Sequence, residues 1–151
     1  MEHLISKYLN DDELLRISAK IFDTEKITSG EIVISIKEKK NIFEKNKNIN
    51  ELAIQEFKRL KINHTKENTG ILIFMILEEK EFYILADESI HSKVEKKTWN
   101  EVKDKMINQI KEGEFCNALL LGVEEVGKIL SLYFPYKSGD RNEISNRVVI
   151  S

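Results

Sequence analysis

Chain breakers and special chemistries are scarce in this chain of 151 residues, which has one cysteine, one proline, six glycines and one tryptophan. The single cysteine, Cys116, excludes an intramolecular disulfide framework and any cluster held by several thiolates. No apolar run approaches the ~20 residues that a bilayer-spanning helix needs, so no transmembrane segment is expected. The opening Met1-Glu2-His3-Leu4-Ile5 lacks the basic-then-apolar form of a secretory leader, which gives the expectation of a soluble, cytoplasmic protein. Basic charge is not in excess: 24 Lys and Arg face 26 Asp and Glu, a net charge of −2. That balance argues against a general nucleic-acid binder, and no nucleic-acid partner is expected. There is no repeat and no low-complexity linker; the lysine- and asparagine-rich stretch at 41–50 comes nearest.

What is present is a domain-sized chain, 41 % apolar and 33 % charged. A chain of this length buries roughly 70 % of its unfolded surface, enough for a real core. Asn10 followed by Asp11-Asp12-Glu13 reads as a helix N-cap with acids at the positive end of the dipole. Leu14, Leu15, Ile17, Ile21 and Phe22 then recur at helical spacing, which predicts a helix over 11–26. Glu31-Ile32-Val33-Ile34-Ser35-Ile36-Lys37 is short and β-branched and reads as a strand. Ile49, Leu52, Ala53, Phe57 and Leu60 predict a helix over 48–60. Ile71 to Leu77 is apolar without alternation, as in a central strand covered on both faces. The link Glu78-Glu79-Lys80 is short enough to make the strand over 81–86 its antiparallel neighbour. The first two strands, joined by a helix, are expected to be parallel with a right-handed crossover. Trp99, Val102, Met106 and Ile110 mark a helix stopped by Gly113, and Phe115 to Tyr133 a last helix stopped before Pro135. Gly122 and Gly127 each cost that helix about 1 kcal/mol relative to Ala, which predicts close approach to the sheet or another helix. The order is α-β-α-β-β-α-α, and the fold class is α/β: a three-layer α/β/α sandwich with a small mixed sheet, in one domain over 1–135 with a tail over 136–151.

Several stretches carry a family resemblance. Asn68-Thr69-Gly70-Ile71-Leu72-Ile73 resembles the core motif of the TPM domain family. Thr28-Ser29-Gly30-Glu31-Ile32 resembles that family's entry to its first strand, Leu60 through Lys66 its following turn, and Ala86-Asp87-Glu88-Ser89-Ile90 its acidic exit from the third. Gly113-Glu114-Phe115 with Gly122-Val123 is similar to its helical step, and Tyr133-Phe134-Pro135-Tyr136 with Asp140-Arg141-Asn142-Glu143 to the ending of its short bacterial members. The motifs are short; their order and spacing together carry the likeness. The chain departs from the pattern at Glu88-Ser89, where many members have glycine. The resemblance implies an α/β/α sandwich. Some plant members are assigned acid phosphatase activity and calcium binding, and others look like assembly or repair factors for membrane complexes.

The strand directions gather polar residues at one sheet edge. Glu31 opens the first strand, Asn68 precedes the second, and Asp87 and Glu88 leave the antiparallel third. With neighbouring strands ~4.8 Å apart, Glu31 and Asp87 lie roughly 10 Å apart across the middle strand. Glu31, Asn68, Asp87 and Glu88 are therefore candidate ligand-binding residues, with Glu31 and Asp87 candidate ligands of a calcium ion, which takes oxygen donors only. A solvated sheet edge is the plainer reading, because Asp and Glu are mostly exposed in any protein. His64 and Lys66 are candidates for an acid and a charge partner in phosphoryl chemistry, yet no Walker-type loop accompanies them. His3 and His91 read as surface residues. Cys116 reads as a small core residue, and Trp99 and Phe115 as core rather than stacking platforms. The lysine pairs at 39–40 and 96–97 read as solvated faces. Val148-Val149-Ile150 could add an edge strand to a partner or to the chain's own sheet. The functional expectation is a non-catalytic interaction or assembly module with a protein partner. A metal-dependent, phosphatase-like hydrolase and a small-molecule-binding domain are the alternatives.

Overall fold

A computed structural model describes residues 4–137 and 147–151. Helix α1 (Asp11–Thr24) begins at Asn10, whose side chain accepts the Glu13 N–H while Glu13 accepts the Asn10 N–H, a reciprocal capping box. Strand β1 (Glu31–Lys37) follows, then α2 (Ile49–Arg59), capped by Asn48. A 3-10 turn over Ile62–His64 leads into β2 (Gly70–Ile76) and its hairpin partner β3 (Glu81–Ala86). Three helices come next: α3 (Glu88–Lys93), α4 (Lys96–Lys111) and α5 (Phe115–Tyr133). The short β4 (Val148–Ile150) completes the described elements.

The sheet order is β3-β2-β1-β4, with β1 parallel to β2 and β4, and β2 antiparallel to β3. Pleating sorts the strand residues between two cores. Ile32, Ile34, Ile36, Ile71, Ile73 and Met75 face α1, α4 and α5, whereas Val33, Leu72, Phe74 and Ile76 face α2. The run Ile71–Leu77 is covered on both faces, at most 2 % exposed anywhere. The expected three-layer α/β/α sandwich is therefore the fold. Two elements lie outside the expected order. The residues after Asp87 turn into α3 instead of a loop, because Asp87 caps a new helix. The end of the expected tail is the sheet's fourth strand, since Val148–Ile150 pairs with Ile34–Ile36 instead of reaching a partner. His3 and the 140–143 ending lie outside the described residues.

The two helical glycines in α5 work by close approach. A Cβ at Gly122 would stand 2.8 Å from the sulfur of Met106 in α4, and one at Gly127 would strike Thr24 of α1. Cys116 is buried in the main core, and burial pushes its thiol pKa up, which keeps it protonated and inert. Phe115 is core as well, with its ring edge-on to Tyr8 at 4.7 Å.

Candidate functional site

At the amino-terminal rim, Glu31 pairs with Gly70 across β1 and β2, and the Asp87 N–H donates to the Gly70 carbonyl at 2.9 Å. Glu31, Gly70 and Asp87 thus form one row across three strands, on the sheet face that carries α2. The rim residues are occupied with one another and with the fold. Glu31 is only 4 % exposed, and its Oε1 accepts Arg147 Nη2 at 3.1 Å. Arg147 Nε donates to Glu25 Oε1 at 3.1 Å, and Glu25 Oε2 accepts the Ile32 N–H at 2.8 Å. One guanidinium therefore ties the end of α1, the start of β1 and the residue before β4. Burial raises the Glu25 pKa; Arg147 pulls it back in part, and the neighbouring Glu31 adds to the rise.

Asp87 Oδ1 accepts the Glu88 N–H at 2.8 Å as the cap of α3. Its Oδ2 is buried with no hydrogen-bond partner among the described residues. Glu88 is exposed. Asn68 takes a left-handed φ of 57°, and its carbonyl accepts the Ser89 N–H at 3.2 Å, lacing the turn before β2 to α3. Between the two carboxylates Gly70 is irreplaceable, since a Cβ there would stand 2.6 Å from both the carbonyl oxygen and a methyl of Ile62. Ile62 fills the space over the middle of the row. Calcium takes six to eight oxygens. Among the described residues no group of three or more His, Cys, Asp or Glu could hold a metal ion. Glu31 is held by Arg147, and Ile62 stands over Gly70 between the two carboxylates. His64 and Lys66 are exposed beside this rim.

A second polar cluster lies under α2. The fully buried Ser35 hydroxyl donates to Glu56 Oε2, and Arg59 donates to Glu56 from Nε at 2.7 Å and Nη2 at 2.9 Å. A cavity of about 340 Å³ adjoins it, lined among others by Lys37, Glu44, Glu56 and Arg59. Lys37 pairs with Glu44 at 3.1 Å, so the charges of this cavity are mutually neutralised. Burial pushes the Glu56 pKa up, but the Arg59 and Ser35 hydrogen bonds outweigh it and hold the carboxyl low. A carboxylate held low is a weak base. With Ser35 out of solvent's reach, the pair braces α2 on β1.

The third feature went unseen in the sequence. Strand β3 is an edge of the sheet, and a groove of about 530 Å³ runs beside it. Its one wall is Tyr83 to Ala86; the other is formed by Val94, Lys96, Trp99 and Lys103. Asp87 bonding Gly70 fixes the alternation of the ladder, so Tyr83 and Leu85 turn their backbone groups to β2. Phe82, Ile84 and Ala86 turn theirs to the open edge. Trp99 is half-buried, one flank on the core and one on the groove, instead of the core residue its spacing suggested. Lys103 Nζ stands 5.8 Å from the Tyr83 ring centre. Lys96 and Lys97 occupy the first turn of α4, which holds no acid. Cations at that positive dipole end work against the helix by ~0.3–1 kcal/mol each. The signal available in the sequence was that misplacement.

An α/β/α sandwich whose four-stranded sheet ends in β3 on one side and in β4 on the other is the class that fold and site define. The TPM domain model matches residues 6–129, and the chain belongs to the TPM domain family. Among solved structures it is similar to the BA42 protein of the psychrophilic bacterium Bizionia argentinensis, with a TM-score of 0.86 and 32 % identity over 95 % of this chain and 96 % of that one. The N-terminal domain of a protein from P. gingivalis shares the fold at a TM-score of 0.69 and 12 % identity, over 86 % of this chain and 82 % of that one. The N-terminal domain of a Corynebacterium glutamicum protein does so at 0.63 and 11 %, over 89 % and 81 %. No curated protein sequence matches the chain.

Proposed function

We propose that this TPM domain is a non-catalytic interaction module that receives its partner along β3. The observation that carries the reading is that, among the described residues, β3 has no strand on its outer side and a groove runs beside it. Unpaired strand edges are templates for pairing, and folded proteins usually blunt them with charge, proline or cover. Here Phe82, Tyr83, Ile84, Leu85 and Ala86 follow one another without charge or proline. The polar clusters elsewhere support the same reading, because their groups are engaged in holding the fold.

The test is site-directed photo-crosslinking in cells. A benzophenone residue at Asn100, in the groove wall, traps a partner that the same residue at exposed Leu132, outside the groove, does not. Ala86→Pro removes one outward N–H without touching the β2 ladder and abolishes trapping. Turnover of p-nitrophenyl phosphate stays at background with and without calcium. Equal trapping at both positions, or calcium-dependent turnover that Asp87→Ala abolishes, would sink the reading.

A further inference from the structure

Resting on that reading, the geometry points to a definite kind of partner: we infer that the groove takes an acidic, extended protein segment, added to β3 as a fifth strand. Phe82, Ile84 and Ala86 each offer one N–H and one C=O along the open edge, so a segment of about five or six residues finds regularly spaced backbone partners there. Its alternate side chains turn toward α4. On that side Val94 and Trp99 form an apolar floor, and Lys96, Lys103 and His91 line the margin. Among the described residues no Asp or Glu lines the groove, although the chain as a whole carries a net charge of −2. The first turn of α4 adds the positive end of its dipole to Lys96 and Lys97. A basic strip on an acidic molecule selects against basic partners as well as for acidic ones. A strand alternating apolar residues with Asp or Glu meets both the floor and the margin.

The probe is a pair of peptide pools. Acetylated nonapeptides alternate Val, Ile, Thr or Tyr with either Asp and Glu or Lys and Arg, and are offered to the whole chain at low salt. The acidic pool is expected to be captured at least ten-fold over the basic pool. Lys96→Glu with Lys103→Glu reverses that preference. The best acidic peptide slows amide exchange at Phe82, Ile84 and Ala86 at least ten-fold, and N-methylation of its alternate amides removes both binding and protection. Equal capture of the two pools, or capture without protection of those three amides, overturns the proposal. Protection of the same amides by a basic peptide or by a second copy of the chain also overturns the acidic strand, but leaves the interaction module standing. If nothing protects them, both readings fall together.

Discussion

The two edges of the sheet are built on opposite plans. The β4 edge is short, three residues, yet it is tied down by a buried charge triad: Arg147 beside it binds both Glu25 and Glu31. The β3 edge is six residues long, and among the described residues its strand partner is β2 alone. Buried ion pairs cost desolvation and yield little net stability, but they are strict about geometry, and losing one partner strands the other. The β4 edge therefore carries folding load. The margin of the open edge, though not its Val94 and Trp99 floor, is made of groups that the fold hardly needs, such as Lys96 in the first turn of α4.

The sharpest way to break the contrast is Arg147→Ala. It leaves two buried carboxylates facing each other and is expected to cost ~3–5 kcal/mol in urea unfolding, with fast exchange at the Ile34 amide, which bonds the Arg147 carbonyl. Burial already raises the Glu25 pKa, and removing Arg147 raises it further. The native state then holds more protons than the unfolded chain above the ordinary carboxylate pKa of ~4.3, so the variant loses stability as pH rises and recovers some in acid. A variant as stable as wild type at neutral pH would remove the latch from the account. Glu56→Gln comes next, at ~1–3 kcal/mol for the charge-assisted bonds to Ser35 and Arg59. The Glu56 pKa is lowered by the fold, so its contribution is complete above ~4.3 and fades as pH falls through the lowered value. The gap between wild type and Glu56→Gln should close in acid, measured by thermal melts across pH.

On the open side the effects shrink. Asp87→Ala removes the α3 cap and is expected to cost ~1 kcal/mol, with exchange quickened locally at Glu88 and little elsewhere. Lys96→Glu replaces a cation at the positive end of α4 and is expected to raise stability by ~0.3–1 kcal/mol while abolishing capture of acidic peptides. A loss of stability from that change would show that Lys96 serves the fold, and the contrast between the edges would blur.

The sequence made the interior legible and the margins less so. Ile71 to Leu77 announced a central strand because only a segment covered twice is apolar at every position. Gly122 and Gly127 announced a tightly packed helix for the same kind of reason, since glycine in a helix needs a neighbour to explain it. The row through Glu31 and Asp87 followed from strand direction alone. What these residues do there did not, because Arg147 lies 116 residues from Glu31 in sequence and nothing local links them. Likewise, Ile62 over Gly70 depends on where a 3-10 turn lands. The groove was hidden because its walls come from a strand and from a helix two elements later. Lys96, taken alone, looks like any solvated lysine.

The parallel pairing of β4 with β1 sets an order of events. Glu25 and Arg147 are 122 residues apart, so the clasp closes one of the longest loops the chain can make. As the polypeptide leaves the ribosome, α1, β1, α2 and the β2–β3 hairpin are all available before Arg147 exists. Until it emerges, β1 has β2 on one flank and an unpaired ladder on the other, with Glu25 and Glu31 side by side and no cation between them. The nascent sheet thus has β1 as a raw margin, and the interval before β4 pairs with it is when β1 is most exposed to wrong neighbours or to a chaperone.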